Sequence, residues 1–549
     1  MKRPFGGRGV FWGVAGLLLA CMGTVQVVTS RMENQTWDEA VHLMAGYIYW
    51  KIGDFEVNWE HPPLGKLLAA VPLLAVEPRL PLEHELWRGR DFFSLAKIFL
   101  YRNRVQPDRL LLLGRLPTVA LTLLLGAVLA AWTRRKFGPG VALFVLLFFA
   151  LDPNVIAHGR YVTTDLIAAL LIFCTAIAWA AFLETQKWRD LILAGIVLGL
   201  ALSAKFSALF LVGLLPLIHL ARRPRVGRFV ASCGVLLGIG FSVVALAYWP
   251  ETKSALTGGK ASFNQTTYPD TVTGRALIWV GERFHVPSHA YVLGLDAVAR
   301  TEKDGRPSYV LGNVSQNGFW HYFPVAFAVK TPTAVLALLP ISVVVGVRRL
   351  ACGRLMSIPC VWLVLIATPI VYFGLSMWAG INIGLRHILP VDPFVFVLVT
   401  ASCWRRRLAP VLVALVAVQV YEHTRIFPHY PAFFNSLAGG AESGPRYLVD
   451  SNIDWGQDVK KLKAYLDAQG AAGVCLSYFG MADLGYYGIH PQDVPFTDDP
   501  YGQSNMNCIA AVSVTLLQGV YTPKERYKWL RDLEPAARIG YSIYAYDLR

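Results

Sequence analysis

Two adjacent carboxylates, Asp38 and Glu39, stand in the run Thr36-Trp37-Asp38-Glu39-Ala40-Val41-His42, directly after the first apolar stretch of the chain. A carboxylate beside an acceptor hydroxyl can act as a general base. The same run also reads as a plain helix start, with Thr36 as cap and acids in the first turn favoured by the helix dipole. A second polar cluster is Glu60-His61-Pro62-Pro63-Leu64-Gly65-Lys66, where two prolines give a rigid entry to a helix. A third holds Asp152, Asn154, His158, Arg160 and Thr163-Thr164-Asp165, ending where another apolar run begins. Carboxylates near membrane spans are costly and usually face a polar cavity. Capping through Thr163 or Thr164 is the bland alternative for Asp165. Lone cations occupy turns between apolar runs at Lys205 and at Arg386-His387; singly, each can equally snorkel to lipid headgroups. The collective pattern says more. Acids and bases gather at the rims of several runs, which suits a phosphate-bearing substrate and a base-assisted transfer.

The elements that must position these residues are membrane helices. Of 549 residues, 55% are hydrophobic and 16% charged, too little charge to cover a soluble surface of this length. Apolar runs lie at about 10–29, 109–132, 139–151, 163–183, 190–204, 206–220, 229–249, 333–347, 357–378, 387–403 and 408–422. Read as helices against a ~30 Å hydrocarbon layer, they predict about 11 spans, the run 139–151 being the shortest. The net charge of +15 does not indicate nucleic acid, because the cations fall in short clusters between runs. With a cytoplasmic N-terminus, the inside loops hold Lys2/Arg3/Arg8, Arg134/Arg135/Lys136, Lys187/Arg189, Arg222/Arg223/Arg225/Arg228, Arg348/Arg349/Arg354 and Arg405/Arg406/Arg407. That alternation places all the candidate residues outside. The apolar run Val10–Val28 is read as a retained span rather than a cleaved signal.

The expected organisation is a transmembrane module over residues 1–423 and a small extracytoplasmic α/β domain over 424–549. Outside loops run at about 31–108 and 250–332. Leu64–Val76 is too short to span and reads as a helix at the membrane interface. In the tail, 458–468 has helical spacing, and 473–478, 509–516 and 537–546 read as strands. None of the eight cysteines forms a CxxC pair, so a zinc or iron–sulfur site is not indicated. Cys475 and Cys508 alone fall in the polar tail and can pair if it lies outside the cytoplasm.

The order of these motifs resembles the GT-C-fold glycosyltransferases, nearest to bacterial relatives of the protein O-mannosyltransferases. Asp38-Glu39, His61-Pro62-Pro63-Leu64-Gly65-Lys66, Asp152…Arg160…Asp165, Lys205-Phe206-Ser207, Arg386-His387-Ile388-Leu389-Pro390 and the tail run Arg446–Asp458 carry the resemblance. It implies a GT-C-like plasma (inner) membrane enzyme that moves a sugar, with inversion, from a polyprenyl-phosphate donor to an acceptor on the outer face. Asp38 would then be the base and Glu39 its support. Lys205 and Arg386 would contact the lipid phosphate, with Arg160 and Lys66 next; His61, Asp165 and His387 complete the substrate-binding set. No cofactor is certain: a divalent metal on Asp38 and Asp165 is left open. The acceptor, whether protein, lipid or glycan, is not implied. The acidic and aromatic run Asp450–Asp458 can bind a sugar, but reads slightly better as a loop and helix start. The competing class is a transporter or flippase of a lipid-linked or polar solute, although ionisable residues deep in the runs are scarce.

Overall fold

The computed structural model describes residues 8–256, 279, 283, 288–352, 358–471, 473–494 and 508–549. Lys2, Arg3, Arg354 and, in the second outside loop, residues 257–278, 280–282 and 284–287 therefore lie outside the described residues.

All eleven apolar runs are helical, but not all are long enough to cross a membrane. Six helices among the described residues are sufficiently long and apolar: Gly9–Arg31, Pro107–Phe137, Asp165–Thr185, Val226–Ala247, Cys360–Trp378 and Leu385–Cys403. The number becomes seven if Tyr322–Lys330 and Thr333–Arg348, bent by 118°, count as one broken span. The expected eleven is not reached, because apolarity reports burial against protein as well as against lipid. Pro139–Ala150 has 12 residues, roughly 18 Å of helix against a ~30 Å layer. Val141, Ala142, Val145, Leu146, Phe148 and Phe149 on it are all within the protein core.

The stretch expected to lie at the interface is interrupted. It forms Leu64–Ala70 and Leu73–Val76, broken at Val71–Pro72, where proline removes a backbone donor. The first piece packs into the Glu39–Lys51 helix at Gly46. A Cβ there would lie 2.0 Å from the carbonyl oxygen of Lys66, so only glycine admits this approach.

The tail carries a mixed five-stranded sheet. Strand 474–477 pairs in parallel with 491–492 and 509–513, and 509–513 continues antiparallel to 543–547 and then 537–539. The single strand expected over 537–546 is a hairpin, turned by Gly540 and Tyr541, both at positive φ. The helix over Val459–Ala468 is as expected. Cys475 and Cys508 form a disulfide with a Cα–Cα distance of 6.0 Å.

Gly46→Ala is expected to lower stability by about 1–3 kcal/mol, since backbone must shift to admit the methyl group. Thermal unfolding in detergent measures this; an unchanged midpoint would contradict the packing described.

Candidate active site

Asp38 occupies the N-cap position of Glu39–Lys51, yet its side chain caps nothing. A capping aspartate is typically worth about 1 kcal/mol, and here the carboxylate points elsewhere. Its Oδ2 lies 3.3 Å from Arg386 Nη1. The same nitrogen lies 3.7 Å from Asp165 Oδ2, and Lys205 Nζ donates to Asp165 Oδ1 at 2.5 Å. Asp165 opens the helix Asp165–Thr185, and neither Thr163 nor Thr164 caps it through a side chain. Lys205 is the extended residue closing Trp188–Ala204, and Arg386 lies in the 3-10 turn Leu385–Val391. Four separate helix ends thus place two acids and two cations in one chain of contacts.

The other expected residues divide. His387 follows Arg386; its Nε2, like Arg386 Nε, has no hydrogen-bond partner among the described residues. His61 packs edge-on against His42, and burial with the nearby charge of His42 and Lys66 holds its imidazole well below the usual range. His42 donates from Nδ1 to the Val162 carbonyl at 2.8 Å, because that oxygen can only accept. Burial also lowers the His42 imidazole from its usual range, against the pull of Asp38.

Glu39 and Lys66 do not face this cluster with free groups, and Arg160 pairs through Nη2 with Glu33 while its Nε and Nη1 have no hydrogen-bond partner among the described residues. Glu39 is fully buried and grips Arg115 with both oxygens, Nε–Oε1 at 2.8 Å and Nη2–Oε2 at 2.6 Å. It also accepts from the backbone N–H of Thr36 and Val162. Its acceptor capacity is therefore spent on folding the Asp38 loop, and it supports Asp38 only through the backbone. Lys66 Nζ donates to Tyr49 Oη and to Asn58 and His61 carbonyls, and burial holds its ammonium well below the usual range. It organises the loop that carries His61. Arg160 is enclosed against Glu33 and Tyr161. Its charge and that of Lys461 keep Glu33 below its usual range despite burial.

The tail segment 449–458 enters the site directly. Trp455 stacks under the Arg386 guanidinium, 4.3 Å from centroid to Cζ. Asn452 accepts from the Leu385 N–H and donates to Tyr322 Oη, while Ser451 donates to the Ile383 carbonyl. Trp37 N–H donates to the Trp455 carbonyl, and Asn34 side-chain groups bind Gly456 and Val459. The helix-start expectation for Asp458 is only partly met: it stands at the N-cap, but its carboxylate accepts from Ser542 and pairs with Lys461. Burial pushes the Asp450 carboxyl up to about 6 and that of Asp454 up to about 8. Arg306 is a further cation, close enough for its charge to be felt at both His387 and Tyr521.

The metal left open on Asp38 and Asp165 does not fit the donor set. Both carboxylates already face Arg386, and Lys205 holds one oxygen of Asp165, so an ion would meet cations where it needs free lone pairs. Among the described residues, no group of three or more His, Cys, Asp or Glu side chains is arranged to hold a metal ion.

Glu39→Gln is expected to destabilise by about 3–5 kcal/mol, because Arg115 is left buried with an uncompensated charge. A variant as stable as the parent in thermal unfolding would remove Glu39 from this role. A second test concerns Asp454. The folded protein keeps a proton there that the unfolded chain releases above roughly pH 4. Stability therefore falls as pH rises from about 4 to about 8. Asp454→Asn should flatten that part of the midpoint-against-pH curve; an unaltered slope would refute the assignment.

No curated protein sequence matches the chain. Among solved structures, the chain is similar to ArnT from Cupriavidus metallidurans, in crystal structures bound to undecaprenyl phosphate (13% identity, TM-score 0.47) and in the apo state (14% identity, TM-score 0.48). Each match covers 97% of both chains. A match to the S. cerevisiae protein O-mannosyltransferase Pmt1-Pmt2 complex bound to the sugar donor has 20% identity and a TM-score of 0.30; it covers 46% of this chain and 35% of that one. Residues 111–249, which carry Arg115, Arg160, Asp165 and Lys205, match the family described as Dolichyl-phosphate-mannose-protein mannosyltransferase.

Proposed function

We propose that the protein is a membrane glycosyltransferase of GT-C type that moves a sugar from a polyprenyl-phosphate donor to an acceptor hydroxyl on the outer face of the membrane. The observation that carries this reading is the Asp38–Arg386–Asp165–Lys205 chain, drawn from four helix ends and flanked by the unpartnered His387 Nε2. Two fixed cations beside unspent donors are suited to a phosphate group. The basic inside loops of the sequence support the outer placement.

An apolar groove of about 560 Å³ supports the lipid half of the donor. Phe327, Val343, Trp362, Phe373, Val391 and Val395 are among its walls. Val391 ends the same 3-10 turn that bears Arg386 and His387, so groove and cations adjoin. A prenyl chain lying in the groove brings its phosphate to the cations.

In the reaction, Asp38 takes the proton of the acceptor hydroxyl. The acceptor oxygen forms its bond to the anomeric carbon as the bond from that carbon to the phosphate oxygen breaks, which inverts the centre. The electron pair leaves on the phosphate, where Arg386, Lys205 and Arg306 stabilise the growing charge. Phosphate binding to Arg386 also displaces Asp38 from that cation and frees the base. Asp165 positions Lys205 and Arg386.

Asp38→Asn is expected to reduce sugar transfer from a polyprenyl-phospho-sugar about 10²–10⁴-fold, while binding of undecaprenyl phosphate persists. Full turnover in that variant would remove Asp38 as base. Solute movement in vesicles with no covalent product would favour a transporter instead.

A further inference from the structure

The tail contributes a wall beside Asp38 that the donor chemistry does not use. Trp37 stacks on Phe479 with centroids 4.9 Å apart, and Phe479 stacks on Tyr521 at 5.3 Å with planes only 9° from parallel. Tyr521 Oη donates to Asp450 Oδ2 at 2.9 Å, and the Ser451 N–H donates to Asp450 Oδ1 at 2.6 Å. Each carboxylate oxygen therefore keeps a free lone pair. The charges of both Arg386 and Asp38 act on Asp450, so the wall and the reacting centre are adjacent.

Two features argue against simple packing. Asp450 and Tyr521 both have left-handed backbones, with φ of 59° and 63°. Non-glycine residues hold that conformation at a cost, and such residues concentrate at ligand clamps. In addition, the stack is open at one end: Tyr521 is 44% exposed, whereas Phe479 and Asp450 are each 8% exposed. The exposed ring of Tyr521 thus leads, through its hydroxyl, to a carboxylate with spare acceptor capacity.

We propose that Asp450, Tyr521, Phe479 and Trp37 form the acceptor subsite, and that it takes a saccharide rather than a peptide. Asp450 accepts hydrogen bonds from sugar hydroxyls neighbouring the one that reacts. Tyr521 offers its ring to the apolar face of the sugar, backed by the stack. A peptide would instead need a row of backbone partners, which a wall of ring faces does not supply. This assignment rests on the transferase reading and adds the acceptor's chemical class to it.

The test uses the full-length protein in nanodiscs, with mannotriose, a Ser/Thr-rich peptide and undecaprenyl phosphate as probes. Saturation-transfer NMR should show mannotriose bound to the parent and the peptide unbound. Asp450→Asn and Tyr521→Ala should weaken mannotriose about tenfold or more, the loss of a hydrogen bond to a charged group or of a ring contact. Undecaprenyl phosphate binding should be unchanged in both. Tyr521→Phe, which keeps the ring, should weaken mannotriose less than Tyr521→Ala. Peptide binding without mannotriose binding, or an equal loss of lipid-phosphate binding in the variants, would overturn the subsite. Failure of the parent to bind undecaprenyl phosphate would instead count against the transferase reading, whatever mannotriose does.

Discussion

The buried pair between Glu39 and Arg115 fixes the segments that carry Asp38 and Asp165. Arg115 rises from the Pro107–Phe137 helix and, besides Glu39, donates to the Ser30 and Asn34 carbonyls. Glu39 in turn holds the Thr36 and Val162 N–H groups. One ion pair thus ties the end of the first helix, the loop carrying Asp38 and the turn before Asp165. Ions so enclosed carry a desolvation penalty of several kcal/mol each, which geometry of this quality is needed to offset. The pair is better understood as a register device than as a source of net stability. It allows Asp38 to leave the capping position unfilled and still be held in place.

The tail completes the same frame from the other side. Asn452 and Ser451 fasten the 383–386 strand of chain that delivers Arg386, and Lys330 donates to the Asn452 and Pro431 carbonyls. A Cβ on Gly384 would lie 2.1 Å from Ser451 Oγ, which shows how closely the two segments meet. Trp455 then fixes the plane of the guanidinium by stacking beneath it. Helix ends and tail therefore meet around Arg386, and Trp37, next to Asp38, stacks on a tail residue, Phe479, more than four hundred positions away in sequence.

How much of this was legible depended on whether a residue announces itself locally. Asp38, Asp165, Lys205 and Arg386 did, because a charge at the end of an apolar run is conspicuous, and the structure brings all four together. The tail helix and strands were legible from periodicity. Glu39, Lys66 and Arg160 look the same in sequence as their neighbours, but their partners are Arg115, Asn58 and Glu33, which only tertiary structure supplies. Arg115 sits within an apolar run, and that was the one signal available for it: a charge in such a place must be paired. Asp450 and Trp455 lie in the tail run that reads in sequence as able to bind a sugar but slightly better as a loop, until the contact of Trp455 with Arg386 is known; Tyr521 carries no such local signal. The span count of eleven is not matched by the six or seven long apolar helices among the described residues for a related reason, since hydropathy cannot tell a helix buried in protein from one facing lipid.

The ion-paired state of the site is itself a consequence of its surroundings. In a partly enclosed cavity, isolated Lys205 and Arg386 would be as costly as isolated Asp38 and Asp165, so each sign is present to hold the other. On the proposed function, an arriving phosphate replaces one anion beside Arg386, Asp38, with another, and the guanidinium, steadied by Trp455 and by Asp165, need not reorganise to receive it. The cation that would bind the donor is then the one that holds Asp38, which would couple proton removal to donor occupancy. The same logic explains why Asp165 is gripped by Lys205 at the shorter distance: it must keep its cations when Asp38 gives its own up.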